Sequence, residues 1–388
     1  MTKRTRALVN PAILTWAREE RGYTLEEASR RIPVSKEKLI SCESGNDHFT
    51  FQQFRRAAWI YRRPTALFFL EETPPSLETP PFRRLPSHRD LSLSPNLRLE
   101  IRSIYQKRKA AIDLAEFGPS HDWSMVGSTS LRNNPESVGL QIRKMLGITD
   151  RFPIGLRDYQ AFNSWREAIE STGILVFLIR GVDVEEMRGL AVSKSPFPVI
   201  AVNRKDAPGP KCFTLLHEYC HILVGNSSLC ELRYEFEEKG DESQSDEVFC
   251  NHVAGAALVP ANLLLTTPVV ISHGTPEIWS EYELQQLASR FRVSKEVILR
   301  RLLVLKRTTD GFYGVMKQQW SHPIPVKKQG TPMESVHERV LQTDGLPFTS
   351  MVLDAVRNDA ITAMDASELL RINLKHLQAV EDLIAKES

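Results

Sequence analysis

Long hydrophobic runs are missing from this chain: no stretch approaches the roughly 18 apolar residues that a membrane helix requires. The basic start, Met1 to Arg6, leads into Trp16, Arg18, Glu19 and Glu20 instead of the apolar heart of a secretory signal, so a cytoplasmic location is expected. Cysteine is scarce as well. Cys42, Cys212, Cys220, Cys230 and Cys250 are odd in number and form no C-x-x-C pair, which argues against a disulfide framework and fits reduced thiols. Nor is there an excess of charge of one sign. Net charge is +2, so any affinity for nucleic acid must come from a local patch. What remains is ordinary globular composition, 41% hydrophobic and 25% charged over 388 residues, enough for two or three domains with their own cores.

Within that composition one stretch carries chemistry. Phe213-Thr-Leu-Leu-His-Glu-Tyr-Cys-His-Ile-Leu-Val224 is apolar enough to be a buried helix and sets His217 and His221 four residues apart. Residues i and i+4 share a helix face, so two imidazoles can grip one metal ion while Glu218 reaches a water on it. That is the H-E-x-x-H pattern, and the chemistry it implies is hydrolysis with Zn²⁺ as cofactor. A catalytic zinc site takes three protein ligands, so another element must supply one more.

Candidates cluster downstream, in a helix expected from near Ser245 to a stop at Pro260. Glu247 shares a stripe with Cys250, Asn251, Ala254 and Leu258, largely apolar surroundings where a carboxylate is costly unless it meets a cation. Asp246 and His252 are its rivals, with His252 fitting a supporting or core role better than ligation. Cys220, three residues beyond His217, is either a fourth ligand or redox-sensitive neighbour, or an ordinary buried thiol.

These residues resemble the ImmA/IrrE-type metallopeptidases, a family of intracellular zincins. The resemblance rests on Phe213-Thr-Leu before the motif, then Glu247-x-x-x-Asn251-x-x-Ala254 and Leu258-Val-Pro260 after it. It implies His217, His221 and Glu247 as metal ligands, Glu218 as the catalytic base and Asn251 as a supporting residue behind the ligands. Tyr219 and Cys220 depart from the small or apolar residues common between the motif ends.

The N-terminal region has its own grammar. Asn10-Pro11 caps a helix to Arg21, Gly22 ends it, and Thr24-x-x-Glu27 is a capping box for the next. A helix to Arg31, a turn through Pro33 and a helix from Ser35 to Glu43 give helix, tight turn, helix. Ala17 to Ala28, Val34-Ser35 and Ile40-x-x-Glu43-x-Gly45 resemble the XRE-type helix-turn-helix DNA-binding domain over roughly residues 9 to 71. The resemblance implies that Ser35, Lys36, Lys38 and Ser41 face DNA, with Arg30 and Arg31 near phosphates. Glu37 and Glu43 soften that face, and such domains also serve as protein-binding or dimerisation modules. Arg55, Arg56, Arg62 and Arg63 are either further positive charge for DNA or a solvated face.

The expected organisation is α+β. It comprises an all-helical helix-turn-helix domain (1–72), a Pro-rich linker (73–94), a zincin-like peptidase domain with a small mixed sheet (95–307) and a C-terminal helical region (308–388). A long amphipathic helix over about 95–117 should pack on the catalytic domain or on a second copy of the chain, which leaves a homodimer open. Strands are expected at 173–179, 190–193 and 199–203, with Pro196 and Pro198 suggesting that the last lies at an edge, where an extended peptide could pair. Tyr234 and His273 are candidate oxyanion donors. Residues 281–307 repeat the helix-turn-helix look, and Arg292, Lys295, Arg300, Arg301, Lys306 and Arg307 offer either a nucleic-acid face or simple packing. The C-terminal unit suggests dimerisation or partner docking.

Together these features suggest a cytoplasmic zinc endopeptidase fused to a DNA-binding domain, cleaving a repressor or a toxin–antitoxin partner to control transcription or stress response. The other reading is a DNA-binding regulator or antitoxin with a structural or sensory zinc site and no proteolysis; retention of Glu218 argues against it.

Overall fold

The computed structural model describes residues 5–74, 93–116, 127–225, 228–230, 242–275, 277–320 and 334–387. Two compact units divide them, one reaching Ser103 and the other starting at Ile104. Most of the linker expected at 73–94 lies outside the described residues, as do Tyr234 and the Pro- and Lys-rich loop near 323–332.

The first unit is helical: α1 (Pro11–Arg21), α2 (Leu25–Arg31), α3 (Lys36–Glu43), α4 (Phe51–Tyr61) and a 3-10 turn (Thr65–Phe69). Its ends follow the sequence signals. Asn10 caps α1, Gly22 takes a left-handed φ of 78° at its C-terminus, and Thr24 and Glu27 exchange both bonds of a capping box. Ile13, Leu14, Ala17, Ala28, Leu39 and Phe54 meet in the core. Arg18 forks onto Glu43 (2.8 and 2.9 Å), joining α1 to α3. Glu43 is therefore turned inward and does not soften the outer face of α3.

Helix α5 (Pro95–Ala115) begins in the first unit and ends in the second. There Arg108 donates to the carbonyls of Phe197 (3.0 Å), Lys194 and Pro196 (both 2.8 Å), and Lys107 forms a buried ion pair with Asp344. The second unit continues through α6 (Pro135–Met145), α7 (Asp158–Glu170), β1 (Leu175–Ile179), β2 (Gly189–Val192) and β3 (Val199–Asn203). Then come α8 (Pro208–Val224), β4 (Ser228–Cys230) and α9 (Glu242–Leu258). After α9 the chain is helical: α10 (Ala261–Leu265), α11 (Pro268–His273), α12 (Glu281–Phe291), α13 (Lys295–Val304), α14 (Asp310–Trp320), α15 (Val336–Asp344), α16 (Leu346–Arg357), α17 (Ala363–Leu369) and α18 (Leu377–Glu387). A mostly helical chain with one small mixed sheet is α+β.

The sheet order is β1-β3-β2-β4, with β1 parallel to β3 (Phe177 opposite Ala201) and the other pairs antiparallel. This corrects the expectation for 199–203: β3 is central, and every residue in it is buried. Pro196 and Pro198 precede the strand in the β2–β3 turn, where their missing N–H groups cost no ladder bond; the Pro196 carbonyl accepts from Arg108 and that of Pro198 from Leu175 N (2.9 Å). Among the described strands the edges are β1 and β4. Helix α15 packs on β1, and Phe348 of α16 meets Phe177 edge-on at 5.5 Å, so the C-terminal helices belong to this unit and cover that side of the sheet. No helix of the described residues is long and apolar enough to cross a membrane.

Candidate metal centre

Helix α8 opens with Pro208 in its first turn and closes on Gly225 (φ 84°), and residues 212–223 are all buried. Burial on every side is what its near-continuous apolar sequence predicts. It also draws His217, Glu218 and His221 into the core, at 0%, 0% and 2% exposure. Three such polar side chains are tolerable inside only when bonded or bound to an ion.

Helix α9 supplies the missing partner. Its small residues let α6 approach closely: a Cβ on Gly139 would fall 2.6 Å from the Cβ of Ala256 and 2.8 Å from the backbone nitrogen of Ala257. Arg301 holds the far end, donating to Val259 O (2.9 Å) and forking onto Glu136 of α6 (2.6 and 2.9 Å). His252 Nε2 lies 2.8 Å from the same carboxylate. Burial alone would raise the pKa of Glu136, but His252 and Arg301 overcome it and hold the carboxyl down at about 2. His252 is thus part of the framework of α9 and is not at the metal cluster.

With α9 so fixed, Glu247 meets both histidines. His217 Nε2 and His221 Nε2 are 3.0 Å apart, and Glu247 Oε2 and Oε1 lie 3.1 and 3.3 Å from them respectively. Four-coordinate zinc with bonds of about 2.0–2.1 Å separates adjacent ligand atoms by roughly 3.3 Å. Two imidazole nitrogens and one carboxylate converging at that spacing fit a cation of this kind, and the donor set matches it chemically. Among the described residues, His217, His221 and Glu247 are the group able to hold a metal; Asp246 and Cys220 are buried but outside it. Desolvation pushes the Glu247 carboxyl up, while bonds from the two imidazoles push it down further, so it is held below the usual carboxylate range. Cys42, Cys212, Cys220 and Cys250 are buried and form no disulfide among the described residues.

Glu218 has a neighbour that the sequence reading missed. A Cβ on Gly189 would fall 2.3 Å from Glu218 Oε1 and 2.5 Å from Thr214 Cγ2, so only glycine lets β2 pass this close to the carboxylate. Asn203 secures the approach to that strand, donating from Nδ2 to Met187 O (2.8 Å) and Val182 O (3.3 Å). A glycine at the start of an otherwise apolar strand was the available signal. Asn251, one turn beyond Glu247, has its Oδ1 buried without a hydrogen-bond partner among the described residues. It lines a cavity of about 70 Å³ with Phe213, Val248 and Arg300. His273 is bonded through Nδ1 to Glu283 (2.8 Å) and stacks on Trp279 at 3.7 Å, tying α11 to α12.

Helix α3 of the first unit presents the other predicted residues differently. Ser35 caps it, accepting from Lys38 N (3.1 Å); Lys36 pairs with Glu26 and Lys38 with Asp47. Ser41 is partly buried and Arg30 exposed. Of the cations near α12 and α13, Arg292 pairs with Asp158 (3.1 Å), Lys295 with Glu281, Arg300 bonds Tyr313 and Arg301 is buried, so most serve packing.

A family model, Peptidase_M78, the IrrE N-terminal-like domain, matches residues 169–303. That stretch runs from the last residues of α7 through α13 and contains the sheet, α8, α9 and the whole His217–His221–Glu247 cluster. The match supports a metallopeptidase-type hydrolase and the resemblance to the ImmA/IrrE family. No curated protein and no solved structure matches the chain.

Proposed function

We propose that the chain is a zinc-dependent endopeptidase carrying an N-terminal XRE-type DNA-binding domain, and that it cleaves a regulatory protein in the cytoplasm, a repressor or a toxin–antitoxin component. The observation that carries the peptidase reading is the convergence of His217, His221 and Glu247 beside a buried Glu218. When bound, zinc would lower the pKa of a water toward about 7 and polarise the scissile carbonyl. The chain's own residues do the rest. His217 and His221 would hold the ion through Nε2, Glu247 would hold it through its carboxylate, and Glu218 takes the proton from the attacking water and returns it to the leaving amine. Gly189 and Thr214 fix where that carboxylate can sit. Strand β4, at the edge of the sheet beside β2, is suited to pairing with an extended substrate. Residues 1–72 would bring the peptidase to its target's operator through the outer face of α3.

Glu218→Gln tests this reading, because it keeps the shape of the side chain and removes the base. Zinc retention with a loss of partner cleavage of about 10²-fold or more is expected. If the variant regulates its target as the wild type does, the peptidase reading fails and a non-proteolytic DNA-binding regulator with a sensory or structural zinc takes its place.

A further inference from the structure

The first unit contains a second concentration of unusual chemistry. A half-open pocket of about 320 Å³ is lined by Arg21, Arg30, Arg31, Arg56 and Arg62, with no carboxylate in the lining among the described residues. They gather because three helices end or pass there: Arg21 closes α1, Arg30 and Arg31 close α2, and Arg56 and Arg62 come from α4 and its left-handed C-cap (φ 53°). None of the five forms an ion pair among the described residues. The neighbouring acids are engaged elsewhere: Glu19 and Glu43 by Arg18, Glu20 by Arg63, Glu26 by Lys36. Glu100 acts on Arg21 from outside the lining, more weakly than the like charges of Arg31 and Arg62 oppose it.

Two aromatic rings hold the guanidinium groups in position. Arg21 and Arg31 lie 5.4 and 5.0 Å from the ring of Tyr23, and Arg56 and Arg62 lie 4.6 and 4.8 Å from that of Trp59. Arg21 is only 5% exposed; among the described residues its Nε and Nη1 have no hydrogen-bond partner, and its Nη2 reaches Asn96 Oδ1 at 3.4 Å. Burial leaves its charge poorly compensated, and its pKa is lowered accordingly. Gathering four like charges around a buried, unneutralised guanidinium destabilises the free protein, and a polyanion in the pocket would reverse that. Planar guanidinium forks suit phosphate oxygens, and the volume admits a ligand of small-molecule size.

We propose that this pocket binds a small molecule bearing two or more linked phosphate groups, a diphosphate or a nucleoside polyphosphate, making the first unit a ligand-responsive module. Ser35, Lys36, Lys38 and Ser41 do not line the pocket, whereas Arg30 and Arg31, expected near DNA phosphates, do, so competition with DNA belongs to the test. Inorganic pyrophosphate is the probe, titrated calorimetrically into the full-length protein at about 0.15 M salt, where the Debye length of about 8 Å suppresses diffuse attraction. One site per chain is expected, weakened at least about tenfold in an Arg31→Gln/Arg56→Gln variant, since each change removes a charge-assisted contact. Both side chains are exposed and their loss relieves like-charge repulsion, so the melting temperature should not fall and the metal content should be unchanged. Absence of pyrophosphate binding by the folded wild type, or equal binding by the variant, overturns the proposal. If mixed-sequence duplex DNA displaces pyrophosphate from the site, the pocket is a backbone-phosphate contact and the assignment to a free ligand falls.

Discussion

Replacing Gly189 with alanine adds one methyl group in the most constrained position of the site. The new carbon would sit 2.3 Å from Glu218 Oε1, 2.9 Å from its Cδ and 2.5 Å from Thr214 Cγ2, about 1 Å inside ordinary contact. Overpacking of this kind costs about 1–3 kcal/mol. Gly189 has no left-handed φ, so alanine fits the backbone, and a Gly→Ala change by itself stabilises by roughly 0.4–1 kcal/mol through the unfolded chain. The net expectation is a destabilisation of about 1–2 kcal/mol by urea denaturation of the metal-free protein. In a Thr214→Ser/Glu218→Ala background both clashing groups are gone, and the same change should become neutral or mildly stabilising. A coupling of about 1–2 kcal/mol between the two backgrounds is the signature. If Gly189→Ala costs the same in both, β2 does not press on Glu218 and the positioning argument is wrong. Activity gives a second readout: if Glu218 is the base proposed above, displacing it by about 1 Å should lower peptide hydrolysis on the order of 10²-fold without loss of bound metal.

Gly139→Ala should be harsher, because its Cβ meets the α9 backbone at Ala256 and Ala257; a loss of about 3 kcal/mol is expected, with weaker zinc binding as Glu247 shifts. Glu136→Gln unpairs the buried guanidinium of Arg301, and because Glu136 is itself about one-third exposed the cost at pH 7 should be roughly 1–3 kcal/mol. Its folded pKa of about 2 is depressed, so this stabilisation is complete above the ordinary carboxylate value near 4.5 and fades as pH falls from there toward 2. Denaturation of wild type and variant at pH 7 and pH 3 should therefore show the gap narrowing in acid. A gap that widens would refute the assignment.

How far the sequence reveals this site depends on whether the signal is local. Helix α8 is legible because its apolar run, Pro208 and Gly225 are contiguous, and the i, i+4 histidines need no other element. Glu247 could be picked out from the face it shares with Ala254 and Leu258, since a carboxylate there calls for a cation. His252 looked like a rival because its partners, Glu136 and Arg301, are distant in sequence. The same holds for β3: two nearby prolines suggest an edge, but strand order depends on β1 and β2 meeting it from both sides. Gly189 and the packing of α15 on β1 are likewise products of contacts between distant segments. The arginines of α2 and α4 resemble a solvated face when read one helix at a time; only their convergence around Tyr23 and Trp59 makes them a pocket.

The central claim, a three-ligand zinc site joining α8 to α9, is tested most directly by elemental analysis of purified wild type and Glu247→Ala side by side. The account predicts about one zinc per wild-type chain and little or none in the variant, because two imidazoles alone leave the ion one protein ligand short. Equal zinc in both proteins, or none in the wild type after the metal is supplied, would contradict it.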